Sequence, residues 1–252
     1  MKKYLKIFII AIICGIMGTI KYATFLDKVS VSEIIGYFAF EGIYPALTFL
    51  SDLTQRFIPL IFFQIFLGTY IYRHFCTASI YYFSRNTRRL SWYTKELIAM
   101  SVLCITYIVI IQITAVLSGM VVTKVIVDKR AISECIYYTI THSLYLFMTT
   151  LLINIISIIS GNLIGFVSVE IVNMFCMVTY CITENIFSKS GQLATLGAMI
   201  IRLNPFRYIC FGYNQQSVDY IKCMIVNFIF SFIITIIGFV VIDRHEFIRV
   251  VE

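Results

Sequence analysis

From Leu97 to Thr123 the chain runs 27 residues without a charge, and from Cys223 to Ile242 another twenty. About 20 apolar residues make a helix long enough to cross the ~30 Å hydrocarbon core of a bilayer. A water-soluble domain cannot cover several such stretches. Here 60% of residues are hydrophobic and 13% charged, where soluble domains carry about 25% charged residues. The class is therefore an integral membrane protein. Only three prolines and twelve glycines interrupt 252 residues, so the runs read as continuous helices, whereas barrel strands would show roughly ten-residue alternating segments.

The net charge of +7 would suggest nucleic acid in a soluble protein, but in a membrane protein excess Lys and Arg marks the cytoplasmic side. No nucleic-acid partner is expected. Eight cysteines are scattered, most of them inside apolar runs, and none has CxxC or Cys/His spacing, so no metal site is read from them. No phosphate-binding loop is present, and His74, His142 and His245 fall on three separate segments, which gives no hydrolytic constellation. The chain reads as non-catalytic, with no cofactor of its own.

The chain then reads as one transmembrane domain over 1–252 with six spans. Lys2, Lys3 and Lys6 precede a first span at about 5–24, retained because no small-x-small cleavage site follows and Ile13 stands before Cys14 where a lipobox needs a small residue. Ile34 to Leu50 is apolar but carries Glu41 at its centre and Pro45 beyond, which predicts an interfacial helix on the outer face. The second span is expected at 57–74, with Arg56 and Arg73 snorkelling from its ends. The third is expected at 97–120, the fourth at 137–159, the fifth at 163–182 and the sixth at 222–242. Ser160-Gly161-Asn162 supplies a tight inner turn. Leu193 to Ile201, too short to cross, is expected to dip into the outer leaflet as a re-entrant element.

With both termini inside, the inner segments carry ten Lys/Arg against four acids and the outer segments ten against eight. The inner segments are much shorter, so the density of positive charge favours this orientation. It places Tyr81 to Met100 in the cytoplasm. That stretch holds the sole tryptophan, Trp92, with Tyr93 and the basic cluster Arg85, Arg88, Arg89 and Lys95, and Glu96 as the one acid nearby. Topology explains the arginines but does not require the aromatics. Aromatic and arginine side chains together suit a docking surface for another protein.

One carboxylate, Glu170, falls well inside a predicted span, and such a residue is a functional hypothesis by default. Asn173 lies one turn on, and Asn154 and His142 on the neighbouring run are placed to hydrogen-bond to it; a structural, hydrogen-bonded carboxylate is the competing reading. Gln64, Gln112, Asn154 and Asn173 are the polar residues available to line a pathway.

The whole pattern resembles the membrane subunit of ABC-2 type ABC exporters, and most closely the small peptide-export or bacteriocin-immunity permeases of Gram-positive bacteria. The resemblance lies in six spans with both ends inside, the block Phe83 to Lys95 between spans two and three, the tight turn between spans four and five, and Asn204-Pro205-Phe206 before span six. It implies a coupling segment at 76–96 that docks on an ATPase through Arg85, Arg88, Arg89, Trp92, Tyr93, Lys95 and Glu96. It also implies an outer gate that includes Gly191, Asn204, Pro205 and Phe206. The implied partners are a dimer of ATPase subunits that bind ATP and Mg, a second permease subunit, identical or related, and membrane lipid, all in the bacterial plasma membrane. The implied cargo is a peptide or lipid-like molecule moved outward, or an antimicrobial peptide cleared from the membrane. Larger members carry an amphipathic helix ahead of span one, where only about six residues precede it here. An ion- or proton-coupled transporter using Glu170, or a non-transporting immunity or sensor subunit, are the other readings.

Overall fold

Backbone N–H and C=O groups placed in hydrocarbon must pair within their own segment, and each long apolar run here does so as a helix. The computed structural model describes residues 2–23, 26–40, 46–81, 89–186, 197, 199–210 and 220–244. The helices with defined bounds among them are α1 (Lys2–Ala23), α2 (Val31–Phe38), α3 (Ala46–Leu67), α4 (Tyr70–Tyr81), α5 (Arg89–Val122), α6 (Ala131–Ser160), α7 (Asn162–Ile186) and α8 (Tyr220–Arg244), and residues 199–203 are also helical. Two three-residue strands, β1 (Lys28–Ser30) and β2 (Lys124–Ile126), and a 3-10 turn at Pro205–Ile209 complete them. Helices α5, α6, α7 and α8 are each long and apolar enough to cross a bilayer, while the apolar part of α1, Leu5–Ile20, is shorter. The outward faces carry large aliphatic and aromatic side chains such as Ile113, Leu117, Ile171, Phe175 and Phe228, which water would not tolerate over such an area. The protein is an all-α membrane protein.

Helix α6 is the central element: 67% of its apolar window is buried, against 22–39% for the other three crossing helices. It packs against α7, α8 and α5, while α1 packs mainly along α5. Gly15 permits that second contact, because a Cβ there would overlap Thr114 and come within 2.7 Å of the Ile111 carbonyl. β1 and β2 pair in parallel, so α1 and α5 leave the bundle at the same end.

The remaining helix ends sort in the same way. At that end Tyr137 of α6 meets Tyr220 of α8 with ring centroids 4.2 Å apart, and Phe206 packs on Phe40, Phe57 of α3 and Tyr180 of α7. At the opposite end Phe75 of α4 meets Trp92 of α5, and Tyr93 of α5 meets Phe239 of α8. The turn between α6 and α7 lies at Gly161, whose φ of 95° a glycine adopts without strain. Four residues on, a Cβ at Gly165 would overlap Ser157, so the glycine lets α7 lie against α6.

Three expectations change. Residues 34–50 are not one continuous helix: α2 ends at Phe38 and buries Val31, Ile34, Ile35, Gly36, Tyr37 and Phe38, residues 41–45 lie outside the described residues, and α3 has begun by Ala46. The stretch expected as one span at 57–74 is instead carried by two helices, α3 and α4, with a break at Gly68 and Thr69. Arg56, expected to snorkel, is instead 5% exposed. Its Nη1 donates to the Tyr37 carbonyl at 2.8 Å, and the guanidinium lies 4.1 Å above the Tyr37 ring, where aromatic and carbonyl contacts replace water.

Helix α2 is fixed at its start. Ser30 Oγ accepts from the Glu33 N–H and Glu33 accepts from the Ser30 N–H, a reciprocal cap. Asp128 accepts from the Ser32 N–H at 3.2 Å and from Ser32 Oγ at 2.6 Å, so the loop after β2 also clamps α2. That hydrogen bond from Ser32 holds the Asp128 carboxyl below the usual carboxylate range. A carboxyl depressed on folding stabilises the fold above its unfolded value of about 3.9, and the contribution is lost as pH falls through the lower folded value. Protection of residues 31–38, taken as the intrinsic exchange rate at each pH divided by the observed rate, should be unchanged from pH 7 to 5 and fall below about pH 4 in the wild type; Asp128→Asn should show reduced protection already at pH 7.

The contact between α5 and α8 is equally specific. Tyr93 Oη is buried without a hydrogen-bond partner, and a Cβ at Gly238 would overlap it. Gly238→Ala should therefore destabilise the protein by about 1–3 kcal/mol in detergent unfolding, and adding Tyr93→Phe, which removes the clashing oxygen but leaves the ring carbon 2.9 Å from the new Cβ, should restore part of the loss.

Candidate functional site

Because α6 is interior on most of its circumference, its polar residues must find partners in neighbouring helices. Thr141, Tyr145 and Thr149 recur every four residues and share one face. Thr141 and Thr149 satisfy their hydroxyls on the carbonyls of Tyr137 and Tyr145 at 2.9 Å, one turn back. Thr149 Oγ1 also accepts from Gln64 Nε2 of α3 at 2.8 Å, and Tyr145 Oη donates to Asn173 Oδ1 of α7 at 3.2 Å. Gln64 is fully buried and Asn173 is 5% exposed. Glu170, one turn before Asn173, has both carboxylate oxygens buried with no hydrogen-bond partner, and Gln64 Oε1 and Asn173 Nδ2 are likewise unpaired. The result is a polar seam between α3, α6 and α7 that is rich in unmatched acceptors.

A second face of α6, further along, carries Thr150, Asn154 and Ser157, all buried. Asn154 Nδ2 donates to the Thr150 carbonyl at 2.7 Å, and its Oδ1 accepts from the backbone N–H of Tyr72 at 2.9 Å. Tyr72 lies in the first turn of α4, where an N–H has no partner within its own helix. Asn154 thereby caps α4 from another helix, and the split at Gly68 and Thr69 is tolerated inside the bundle.

The other polar residues go elsewhere. His142 is 1% exposed, set between Tyr138 at 4.0 Å and Phe40 at 6.2 Å, with Nδ1 3.3 Å from Thr141 Oγ1. Phe40, its stacking partner, is the one described non-glycine residue with positive φ, at 60°. Gln112 ties α5 to α6 by donating to the Cys135 carbonyl at 2.9 Å and accepting from Thr139 at 2.8 Å. Of the four candidate pathway residues, then, Gln64 and Asn173 meet around Tyr145 and Thr149 beside Glu170, while Asn154 and Gln112 serve separate contacts.

In the predicted coupling segment, Arg85 and Arg88 lie outside the described residues. Arg89 opens α5, Lys95 is exposed, and Glu96 Oε2 lies 3.2 Å from His74 Nδ1. Trp92 is half-buried against Phe75 with centroids 6.1 Å apart. Tyr93 faces inward at 1% exposure, so it packs the α5–α8 contact and offers no outward surface. Among the predicted outer-gate residues, Gly191 lies outside the described residues. Asn204 caps the 3-10 turn by accepting from the Phe206 N–H at 3.0 Å, and its Nδ2 donates to the Cys176 carbonyl at 2.6 Å. Pro205 sits where its missing N–H leaves nothing unpaired. Phe206 is fully buried. Among the described residues no three of His, Cys, Asp and Glu group as metal ligands.

The fold and this interior define a helical membrane protein with polar groups concentrated around one central helix. No protein-family model, curated protein or solved structure matches the chain.

The Asn154 cap can be tested directly. Asn154→Leu leaves the Tyr72 N–H unpaired in the interior and should lower unfolding stability in detergent by about 1–3 kcal/mol. Asn154→Asp keeps the acceptor in place and should lose less when measured at low pH, where the carboxyl is neutral.

Proposed function

We propose that the chain is the permease subunit of an ATP-driven exporter of the ABC-2 type, with six spans and both ends in the cytoplasm of a bacterial cell. The observation that carries this reading is the extension of α5. Its 34 residues measure about 51 Å at 1.5 Å per residue, well beyond the ~30 Å hydrocarbon thickness. Its first turns therefore stand out of the bilayer at the end where α1 begins and α8 finishes, and they carry Arg89, Trp92 and Lys95. A rigid, cationic and aromatic projection continuous with a span is suited to pass movement of a docked subunit into the bundle. The alternation of helix ends supports six crossings, with α3 and α4 together making the second.

In this reading the ATP and Mg belong to a partner ATPase dimer, a second permease subunit completes the pathway, and the cargo is a peptide or lipid-like molecule moved outward or removed from the membrane. One observation favours a second reading. The unpartnered carboxylate of Glu170 suits an ion- or proton-coupled transporter.

Co-purification separates the two. With the neighbouring ATPase co-expressed, the wild type should retain it in detergent, whereas Arg88→Glu combined with Trp92→Ala should lose at least about 90% of it, as expected for buried interface anchors. Transport that continues without any ATPase and stops in Glu170→Gln would establish the coupled transporter in its place. Retention of the ATPase without cargo movement would point to an immunity or sensor subunit.

A further inference from the structure

The polar seam between α3, α6 and α7 does not balance as a set of hydrogen bonds. Tyr145 Oη donates to Asn173 Oδ1, Gln64 Nε2 donates to Thr149 Oγ1, and Thr149 gives its own proton to the Tyr145 carbonyl. Three acceptors are left over, Gln64 Oε1 and both carboxylate oxygens of Glu170, against a single donor group, Asn173 Nδ2. All four atoms are shielded from solvent. An ionised carboxylate in such a place, with neither a cation nor an N–H on it, is strongly unfavourable.

These groups stand at one depth. Helices α6 and α7 run antiparallel from the turn at Gly161, and Tyr145 meets Asn173. Thr149, one turn further along α6, is therefore level with Glu170, one turn back on α7. Gln64 of α3 bonds to that same Thr149, and α3 packs on α7, which sets Gln64 beside Glu170 while Asn173 adjoins it from the next turn of its own helix. The charged and titratable groups on the elements packed here are engaged elsewhere. Arg56 of α3 lies on the Tyr37 carbonyl and ring, and His142 of α6 is stacked between Tyr138 and Phe40. Arg207 belongs to the 3-10 turn, whose capping residue Asn204 reaches α7 at Cys176, nearly two turns beyond Glu170. Tyr145 gives its proton to Asn173. None of them pairs with the Glu170 carboxylate.

One proton removes the imbalance. A protonated carboxyl is one donor and one acceptor, so three acceptors against one donor become two against two. Asn173 Nδ2 then donates to one Glu170 oxygen, and the O–H on the other donates to Gln64 Oε1. A metal cation would engage the three acceptors but strand the Asn173 donor, and it needs room among its ligands, whereas a proton needs no cavity. We propose that Glu170 is a proton-binding site, around whose neutral form the seam closes, with the bound proton directed at Gln64 and joining α3 to α7. The proton comes from water and returns to it through local opening of the helices, and its loss at high pH loosens α3 from α7. The inference goes beyond both readings of transport, because a proton held here joins the two helices whether an ATPase or an ion gradient drives the protein.

The test is infrared difference spectroscopy of the full chain in phosphatidylcholine vesicles, wild type against Glu170→Gln, which supplies a donor and an acceptor as the neutral acid does. At neutral pH the difference should contain the carbonyl band of one protonated, hydrogen-bonded carboxylic acid that shifts in D2O and fades as pH rises. Gln64→Leu, which removes the acceptor, should move that band toward the position of a free acid. In detergent unfolding, the wild-type unfolding constant should rise more steeply than that of Glu170→Gln, by about tenfold per pH unit, from about pH 5 to the pH at which the band fades. An ionised carboxylate band in place of the acid band at neutral pH would overturn the proposal, as would equal pH dependence in the two chains or a band unmoved by Gln64→Leu. Loss of the band at fixed pH when sodium replaces choline would also overturn it, by showing that a metal cation fills the seam. None of these readouts involves an ATPase or cargo, so the outcome is separate from that of the co-purification.

Discussion

A helix broken in the interior of a bundle must have its freed backbone groups met from outside, and this bundle has such a break at Gly68 and Thr69. The N–H of Tyr72 is met by Asn154 of α6, and Gln64, one turn before the split, is held by Thr149 of the same helix. The α3–α4 pair is therefore not self-sufficient. It depends on two side chains of α6, and α6 in turn can carry them only because it is interior. The centrality of α6, the split of α3 from α4 and the polar seam are one arrangement seen from three sides.

This dependence explains which part of the fold was legible in the residues and which was not. Charge-free runs such as Leu97 to Thr123 and Cys223 to Ile242 dictate helices with no help from neighbours, and α5 and α8 cover them. Ser160-Gly161-Asn162 encodes its own turn, because only the glycine accepts the backbone angle needed there. The stretch from Ile34 to Arg56 carries no such self-contained signal. Ser30 and Glu33 form a local cap that marks where α2 begins, but that α2 is buried depends on α1, α5 and α6 around it. Arg56 reads as a snorkelling end residue until the Tyr37 carbonyl and ring are brought beside it by the tertiary fold.

The candidate site divides along the same line. Glu170 and Asn173 stand out because their chemistry is foreign to an apolar run, and their spacing places them one turn apart. Gln64 stands out for the same reason, yet its meeting with Thr149 links residues 85 apart in sequence. Tyr145 and Thr149 gave little warning, since Thr and Tyr are common in apolar helices; the four-residue spacing with Thr141 was the available signal. In the basic stretch, Trp92 and Tyr93 look equivalent as letters. Helical geometry turns Trp92 toward Phe75 and Tyr93 inward against Phe239 and Gly238, so only the backbone path distinguishes a surface aromatic from a packing one.

Helix α6 also keeps its two upper faces apart. Thr141, Tyr145 and Thr149 follow one another by four residues on the seam side, while Thr139, Ser143 and Phe147 do so on the side toward α5 and α8. At 100° per residue, a two-residue offset turns one row roughly half a revolution from the other. The body of the helix, about 10 Å across, stands between the polar seam and the apolar contact with α5 and α8. Thr141 and Thr149 on one side and Thr139 on the other satisfy their hydroxyls on backbone carbonyls one turn back, which leaves Gln64 Oε1, Glu170 and Asn173 Nδ2 as the unmatched atoms of the seam. A substitution in one row removes a side chain from one face and leaves the other face and the shared backbone intact, so the two sides are separable by mutation even though one helix builds both.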